Sequence, residues 1–184
     1  MPSVCVPLAD GFEELEAITI IDVLRRAEVD VTTLAVASDC LFVRGSHNIE
    51  LKADEPLAAG LEKAWDMVIL PGGLPGATHL RDNPDVQQLI KTQHERGGRL
   101  AAICAAPIAL GKAGVLAGKK ATSYPGFEEE LTGAVCVSDR VVTDGKIVTS
   151  RGPGTALDFA FELVATLAGQ TTADNLRAGM LIES

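Results

Sequence analysis

Short apolar runs alternate along this chain with longer stretches in which apolar residues recur every three or four positions. Residues 4–8, VCVPL, form the first compact run, broken by Asp10 and Gly11. From 13 to 27 the period becomes helical, with Leu15, Ile18, Ile21 and Leu24 sharing a broad face. This segment opens on acids and closes on Arg25 and Arg26, as a helix dipole favours. Residues 29–37 are β-branched and apolar, so the chain begins with a βαβ unit and a parallel sheet is expected. Residues 40–54 alternate loosely about Arg44, Gly45 and Ser46, and predict a small hairpin outside the main sheet. Residues 56–61 read as a connection containing a helical turn.

The pattern then repeats. Residues 67–70 are a buried strand stopped by Pro71, Gly72 and Gly73. A helix over 85–96 starts from Asn83 and Pro84 and ends at Gly97 and Gly98. Residues 100–103 are another buried strand, followed by Cys104 and a helix with Pro107 in its first turn, where the missing N–H costs nothing. Further on, 120–123 and 135–137 read as strands, 128–131 as a short acidic helix, and 141–150 as a hairpin turning at Asp144 and Gly145. Residues 152–155, GPGT, lead into a helix over 156–168 that ends at Gly169, and a last helix covers 172–181. The alternation predicts an α/β, doubly wound sandwich, a single domain over 1–184. Ligands bind such sheets outside the carboxyl ends of the strands, here the loops after Leu8, Leu70 and Ile103.

Composition narrows the function. A chain of 184 residues buries roughly 70% of its unfolded surface in one core. A net charge of −9 argues against nucleic-acid partners and against docking on anionic membranes. No apolar run reaches the length of a membrane span, and the first ten residues lack the basic and apolar regions of a signal peptide. Cysteines at 5, 40, 104 and 136 show no CxxC spacing, and histidines at 47, 79 and 94 show no metal-ligand spacing. A cytoplasmic protein without a metal is expected.

The candidate chemistry centres on LAAICAAPIALG, residues 100–111. A thiol at a strand-to-helix switch faces unsatisfied N–H groups and the positive end of the helix dipole, which lower its pKa and make it reactive. Ala102 and Ala106 flank Cys104 at two residues on either side, where a nucleophile elbow requires small side chains. A second reading stays open, that Cys104 is a small buried hydrophobe. Glu13 and Glu14 read as dipole complements facing solvent, whereas Glu16 lies at the edge of the apolar face and can turn inward. Gly72 and Gly73 can bring a backbone N–H to an oxyanion. No histidine neighbours Cys104 in sequence; His47, His79 and His94 would have to be brought there by folding.

GFEELEAITIIDVLRRA, MVILPGG, LAAICAAP and VTSRGPGTALDFA occur in the order and spacing of the ThiJ/PfpI superfamily, which the chain resembles from residue 4 to about residue 169. The resemblance is strongest to the branch that holds the DJ-one protein and bacterial YajL. It implies a flavodoxin-like fold with a mostly parallel sheet sandwiched by helices and a small accessory β-hairpin. It also implies a homodimer with the first helix in its interface, and no metal or organic cofactor. By motif, Cys104 matches the reactive cysteine, Glu16 its carboxyl partner, and Gly73 and Ala105 the backbone donors beside the sulfur. Gly72, His47, Tyr124 and Pro153 are expected around the pocket. Such a pair shares one proton, expected on Glu16 and donated to the sulfur, and titrates as a unit.

Three functions follow from the resemblance. The first is a glutathione-independent glyoxalase or deglycase acting on small 2-oxoaldehydes or glycated adducts. The second is a redox-sensing, chaperone-like protein in which oxidation of Cys104 is the event that matters. The third, a peptidase, is disfavoured because Ala105 follows the cysteine where that branch has histidine. One departure bears on mechanism: Ser123-Tyr124-Pro125 stands where the DJ-one protein has a histidine, and a phenol with its ordinary pKa near 10 is a poor base near neutrality. Another is His47 in the hairpin, where arginine is usual.

Overall fold

In the computed structural model, which describes residues 1–36 and 40–182, the chain begins with β1 (Ser3–Leu8), α1 (Glu14–Arg26) and β2 (Asp30–Ala35). The strand expected over 29–37 is shorter than predicted, and its residue 37 lies outside the described residues. Next come β3 (Phe42–Arg44), β4 (Glu50–Lys52), β5 (Glu55–Pro56), α2 (Leu57–Gly60) and β6 (Met67–Leu70). They are followed by α3 (Gly76–Asp82), α4 (Pro84–Glu95), β7 (Arg99–Ile103), α5 (Pro107–Ala113) and β8 (Lys120–Ala121). After a short 3₁₀ turn at Glu128–Glu130, β9 (Val135–Cys136), β10 (Val141–Asp144), β11 (Ile147–Ser150), α6 (Ala156–Ala168) and α7 (Gln170–Gly179) complete the chain.

Seven strands form the central sheet in the order β10-β11-β7-β6-β1-β2-β5. All neighbours are parallel except β10 and β11, the predicted hairpin at Asp144 and Gly145. The middle strands are covered on both faces, which is why they read as unbroken apolar runs rather than alternating ones. Met67, Val68, Ile69 and Leu70 of β6 are all fully buried, as are Leu100 to Ile103 of β7. Each such aliphatic side chain contributes roughly 1.5–3 kcal/mol on leaving water. α1, α6 and α7 pack together as one helical layer, and α3, α4 and α5 as another. The β3–β4 hairpin stands apart from the main sheet, as predicted, and a minor parallel pair, β8–β9, makes a third small sheet.

Three elements correct the sequence reading, the first being β5, a two-residue edge strand beside β2 where only a connection was expected. α3 was not anticipated: only Ala77 and Leu80 of its seven residues are buried apolar side chains, too few to display a period. In α1 the helix exists but its faces are rotated. Glu16, Ala17, Ile20, Val23 and Leu24 face the core, while Leu15 is 65% and Ile18 42% exposed. The i, i+3, i+4, i+7 stripe thus runs through Glu16 rather than Leu15. A helix face that carries a carboxylate into the core lies beside a second apolar face left in solvent.

Candidate active site

Cys104 sits at the carboxyl end of β7 in the left-handed backbone region, φ 63°. A non-glycine residue there costs about 1–3 kcal/mol and is held by its surroundings. Its N–H donates to the Ser150 carbonyl at 3.0 Å, and its own carbonyl accepts from the Tyr124 N–H at 2.8 Å. Ala102 and Ala106 are fully buried on either side, consistent with the steric demand of an elbow. The thiol is 8% exposed, so it meets solvent through a narrow opening.

Glu16 comes from the first turn of α1 and is completely buried. The N-cap places it: Glu13 Oε2 accepts the Glu16 N–H at 2.8 Å, and the Glu13 N–H in turn donates to the Gly72 carbonyl at 2.8 Å. The loop after β6 and the start of α1 are therefore stitched together. The Gly72 N–H donates to Glu16 Oε2 at 2.9 Å, while buried Oε1 has no hydrogen-bond partner. Cys104 and Glu16 are near enough for each to shift the other's titration, and Oε1 is the carboxyl oxygen left free to carry a proton. A Cβ on Gly72 would lie 2.6 Å from Cys104 Cβ and 2.7 Å from Glu16 Oε2, so only glycine fits between them.

Burial pushes the Glu16 carboxyl up to about 7, against the pull of the Gly72 N–H and the Cys104 hydrogen bond. Burial and the Glu16 charge likewise push the Cys104 thiol up to about 12, although the Gly73 and Ala105 N–H groups act as donors that favour the thiolate. The thiol pKa is therefore raised, not lowered as the strand-to-helix position suggests. The seven-residue α5 and two amides do not offset removal from water beside a carboxylate. Burial disfavours charge on both groups, so the pair titrates as a unit and keeps a proton between Sγ and the Glu16 carboxyl near neutrality.

Above the sulfur lies a cavity of about 290 Å³. Cys104, Gly73 and Ala105 form part of its lining, together with Leu74, Tyr124, Phe127 and Pro153 and the hairpin residues Ser46 and His47. Of the residues expected around the pocket, His47, Tyr124 and Pro153 do line it, while Gly72 lies behind the sulfur with its N–H on Glu16. The Pro153 loop is fixed by Thr155 Oγ1, which sits 2.7 Å from Ser150 Oγ and accepts the Gly152 N–H at 3.1 Å. Tyr124 meets Phe127 edge-on at 6.5 Å between ring centres.

His79 and His94 play no part: both are exposed, neither lines the cavity, and His79 Nδ1 bonds the Asp10 carbonyl at 2.9 Å. Glu13 and Glu14 are buried rather than solvated, at 8% and 4% exposure. Glu14 organises the hairpin. Its Oε1 accepts the His47 N–H at 2.6 Å, and its Oε2 lies 2.8 Å from His47 Nδ1 and accepts from Ser46 Oγ at 3.2 Å. Burial alone would raise its pKa, but the His47 side-chain and backbone bonds outweigh this and hold it at about 2. Sequence could not show this, because an acid in a first helical turn looks the same whether it faces solvent or a partner 30 residues away. Among the described residues, Glu13, Glu14 and His47 also bring one ligand-type atom each within 4.8 Å of one another. The Glu14 and His47 atoms in this group already serve the hairpin's hydrogen bonds.

Comparison with known proteins identifies the family. The chain is 43% identical to Protein DJ-1 homolog A of Arabidopsis thaliana over 98% of its own length, although it spans only 46% of that relative. It is 35% identical to the Glutathione-independent glyoxalase DJR-1.2 of Caenorhabditis elegans, covering 89% of this chain and 87% of that one. The solved structure of oxidized DJ-1 from Toxoplasma gondii superimposes with a TM-score of 0.95 and 37% identity over 100% of both chains. The sequence profile of the DJ-1/PfpI family matches residues 2–166, and the chain belongs to that family.

Proposed function

We propose that this protein is a glutathione-independent glyoxalase that converts a small 2-oxoaldehyde, with methylglyoxal the simplest case, to the 2-hydroxy acid. The observation that carries the reading is the pairing of Cys104, strained and almost buried, with a Glu16 carboxyl whose pKa of about 7 suits a general base at neutrality. Glu16 takes the thiol proton as Sγ adds to the aldehyde carbon, and that proton passes to the aldehyde oxygen to give a hemithioacetal. The Gly73 and Ala105 N–H groups beside the sulfur stabilise the oxygen as charge develops on it. Glu16 then moves the proton on the former aldehyde carbon to the neighbouring one, leaving a thioester that water hydrolyses. The sequence is an internal oxidation and reduction, so no external redox partner enters. The name of the Caenorhabditis relative supports this class. Glycated adducts that present the same carbonyl carbon enter by the same first step.

The test is lactate formation from methylglyoxal without glutathione, in wild type and in Cys104→Ser and Glu16→Gln. Loss of turnover in both variants is expected; activity surviving Cys104→Ser would remove the nucleophile. A redox-sensing role rests on a different observation: the amides and the carboxyl around the sulfur can hold sulfinate oxygens as well. Peroxide adding two oxygens at Cys104 alone, in a protein without turnover, would favour it.

We also propose a homodimer through α1. Leu15, Ile18 and Ile49, all large and exposed, border one apolar depression of about 540 Å³ beside His47. No helix among the described residues is long and apolar enough to cross a membrane. The four cysteines are free, which fits a reducing, cytoplasmic setting.

A further inference from the structure

The chemistry above moves two kinds of proton, and Glu16 accounts for only one. While a carbon-bound proton passes between neighbouring carbons, the oxygen on the second carbon must gain a proton and the oxygen on the first must lose one. Cys104, Gly73 and Ala105 lie on the sulfur side of the cavity, so the second carbonyl reaches toward its outer wall. Leu74, Phe127 and Pro153 have no proton to exchange there, Ser46 Oγ is engaged by Glu14 Oε2, and Glu13 Oε2 is engaged by the Glu16 N–H at the start of α1. Tyr124 offers a hydroxyl that can donate a hydrogen bond, but exchange of a proton near neutrality is the ordinary chemistry of imidazole.

We propose that His47, held through Nδ1 by the buried Glu14 carboxylate, is the second proton-transfer residue and acts on the substrate oxygens through Nε2. This rests on the glyoxalase reading and assigns the step that reading leaves open. The geometry is that of an oriented base: Nδ1 lies 2.8 Å from Glu14 Oε2, and the His47 N–H is bound to the other oxygen of the same carboxylate. Glu14 has a side-chain exposure of 5% and His47 of 71%, so the anchor is fixed while the working nitrogen stays in reach of substrate. The anchor also selects the tautomer and charge. A carboxylate on Nδ1 keeps a proton there, and the Glu14 bond, then the Glu14 and Glu13 charges, raise the imidazole pKa. The titratable groups that share the cavity with His47 are Glu13, Cys104 and Tyr124, with Glu14 and Glu16 behind them.

Atoms and electrons balance in this step. From the hemithioacetal, the Glu16 carboxylate removes the proton on the sulfur-bearing carbon, and the freed electron pair forms a carbon–carbon double bond. The ketone oxygen takes a proton from the His47 imidazolium, giving an enediol. Glu16 returns its proton to the second carbon as His47 recovers one from the hydroxyl on the first, which becomes the thioester carbonyl. Both residues end as they began, and hydrolysis then restores the thiol.

The experiment measures kcat and kcat/KM for methylglyoxal against pH in wild type, His47→Gln, His47→Ala with added imidazole, and Glu14→Gln. In wild type the rate rises as Glu16 ionises and falls as His47 loses its proton. In His47→Gln, kcat falls by about 10²-fold with little change in KM and the alkaline limb disappears. Imidazole restores part of the rate to His47→Ala, and Glu14→Gln moves the alkaline limb to lower pH. An unchanged pH profile in His47→Gln, in a protein that still loses turnover in Cys104→Ser, would overturn this proposal and leave the glyoxalase reading intact. No turnover in wild type would overturn both. Wild-type activity lost in EDTA and restored by zinc would assign the Glu13, Glu14 and His47 group to a metal and overturn the proposal as well.

Discussion

The Gly72 N–H and Glu16 Oε2 are 2.9 Å apart, and this bond ties the carboxyl to the loop that packs against Cys104. Oε2 is thereby occupied, while Oε1 of this fully buried carboxyl has no hydrogen-bond partner and is the oxygen free to carry a proton. Glycine is required at the donor position for space, since a methyl group there would press on both Cys104 Cβ and Glu16 Oε2. Gly72→Ala is therefore expected to separate the pair. Overpacking of this kind costs about 1–3 kcal/mol, and turnover should fall far more than the melting temperature suggests. Thermal unfolding beside lactate formation checks it; a Gly72→Ala protein with near-native kcat would show that the contact is dispensable.

Glu16 also predicts how stability depends on pH. Its pKa is raised by burial from an ordinary 4.5 to about 7 in the folded protein. A group raised on folding contributes its full stability below the unfolded pKa and loses it as pH rises through the folded one. Unfolding free energy should thus decline between about pH 4.5 and 7, by about 3 kcal/mol if Glu16 acted alone. Glu16→Gln should flatten that window and be the more stable protein above pH 7 while remaining inactive. Urea unfolding at several pH values gives the comparison. An identical slope in both proteins would move the titration to another group.

The sheet, the isolated hairpin and the Cys104 elbow were legible because each is written locally. Unbroken apolar runs mean strands covered on both faces, and a thiol between a buried strand and a Pro-started helix has few places to be. Glu16 was legible from its motif and from its position at the edge of an apolar face. Glu14 and His47 were not, because their partnership joins α1 to a hairpin more than 30 residues on and leaves no periodic trace. The rotated face of α1 has a similar cause. Leu15 and Ile18 belong to an apolar stripe as regular as the true one, and only the packing of α6 on α1 decides which stripe is inside. The direction of the Cys104 shift was missed because a sequence displays the amides and the helix start but not the depth of burial that outweighs them.

Tyr124 occupies the wall of the cavity with half its surface exposed and its ring against Phe127. If His47 carries the oxygen protons, the Tyr124 hydroxyl is not needed for proton transfer and the ring matters for contact. Tyr124→Phe should leave kcat within about twofold, since it keeps the wall. Tyr124→Ala should raise KM by about 10-fold or less, the loss of roughly 1 kcal/mol of aromatic contact. Steady-state kinetics on methylglyoxal distinguish the cases. A Tyr124→Phe protein slowed by about 10²-fold would return the proton-transfer role to the phenol.

The exposed stripe on α1 makes the last prediction. Leu15 at 65% and Ile18 at 42% exposure stand on the helix that carries Glu16 on its opposite, buried side. Apolar side chains gathered in this way on a helix face mark a contact surface, and Ile49 from the hairpin extends it toward His47. Leu15→Asp places a charge in the middle of that surface without touching the core, so the monomer fold should survive with a melting temperature little changed at low concentration. Sedimentation velocity should then show one species of half the wild-type mass. Because His47 and Ile49 of the hairpin border the same depression as Leu15, loss of the partner should uncover the hairpin and lower kcat. A Leu15→Asp protein that still sediments as a dimer would place the interface elsewhere, and one that is a monomer with full activity would show that the site is complete in a single chain.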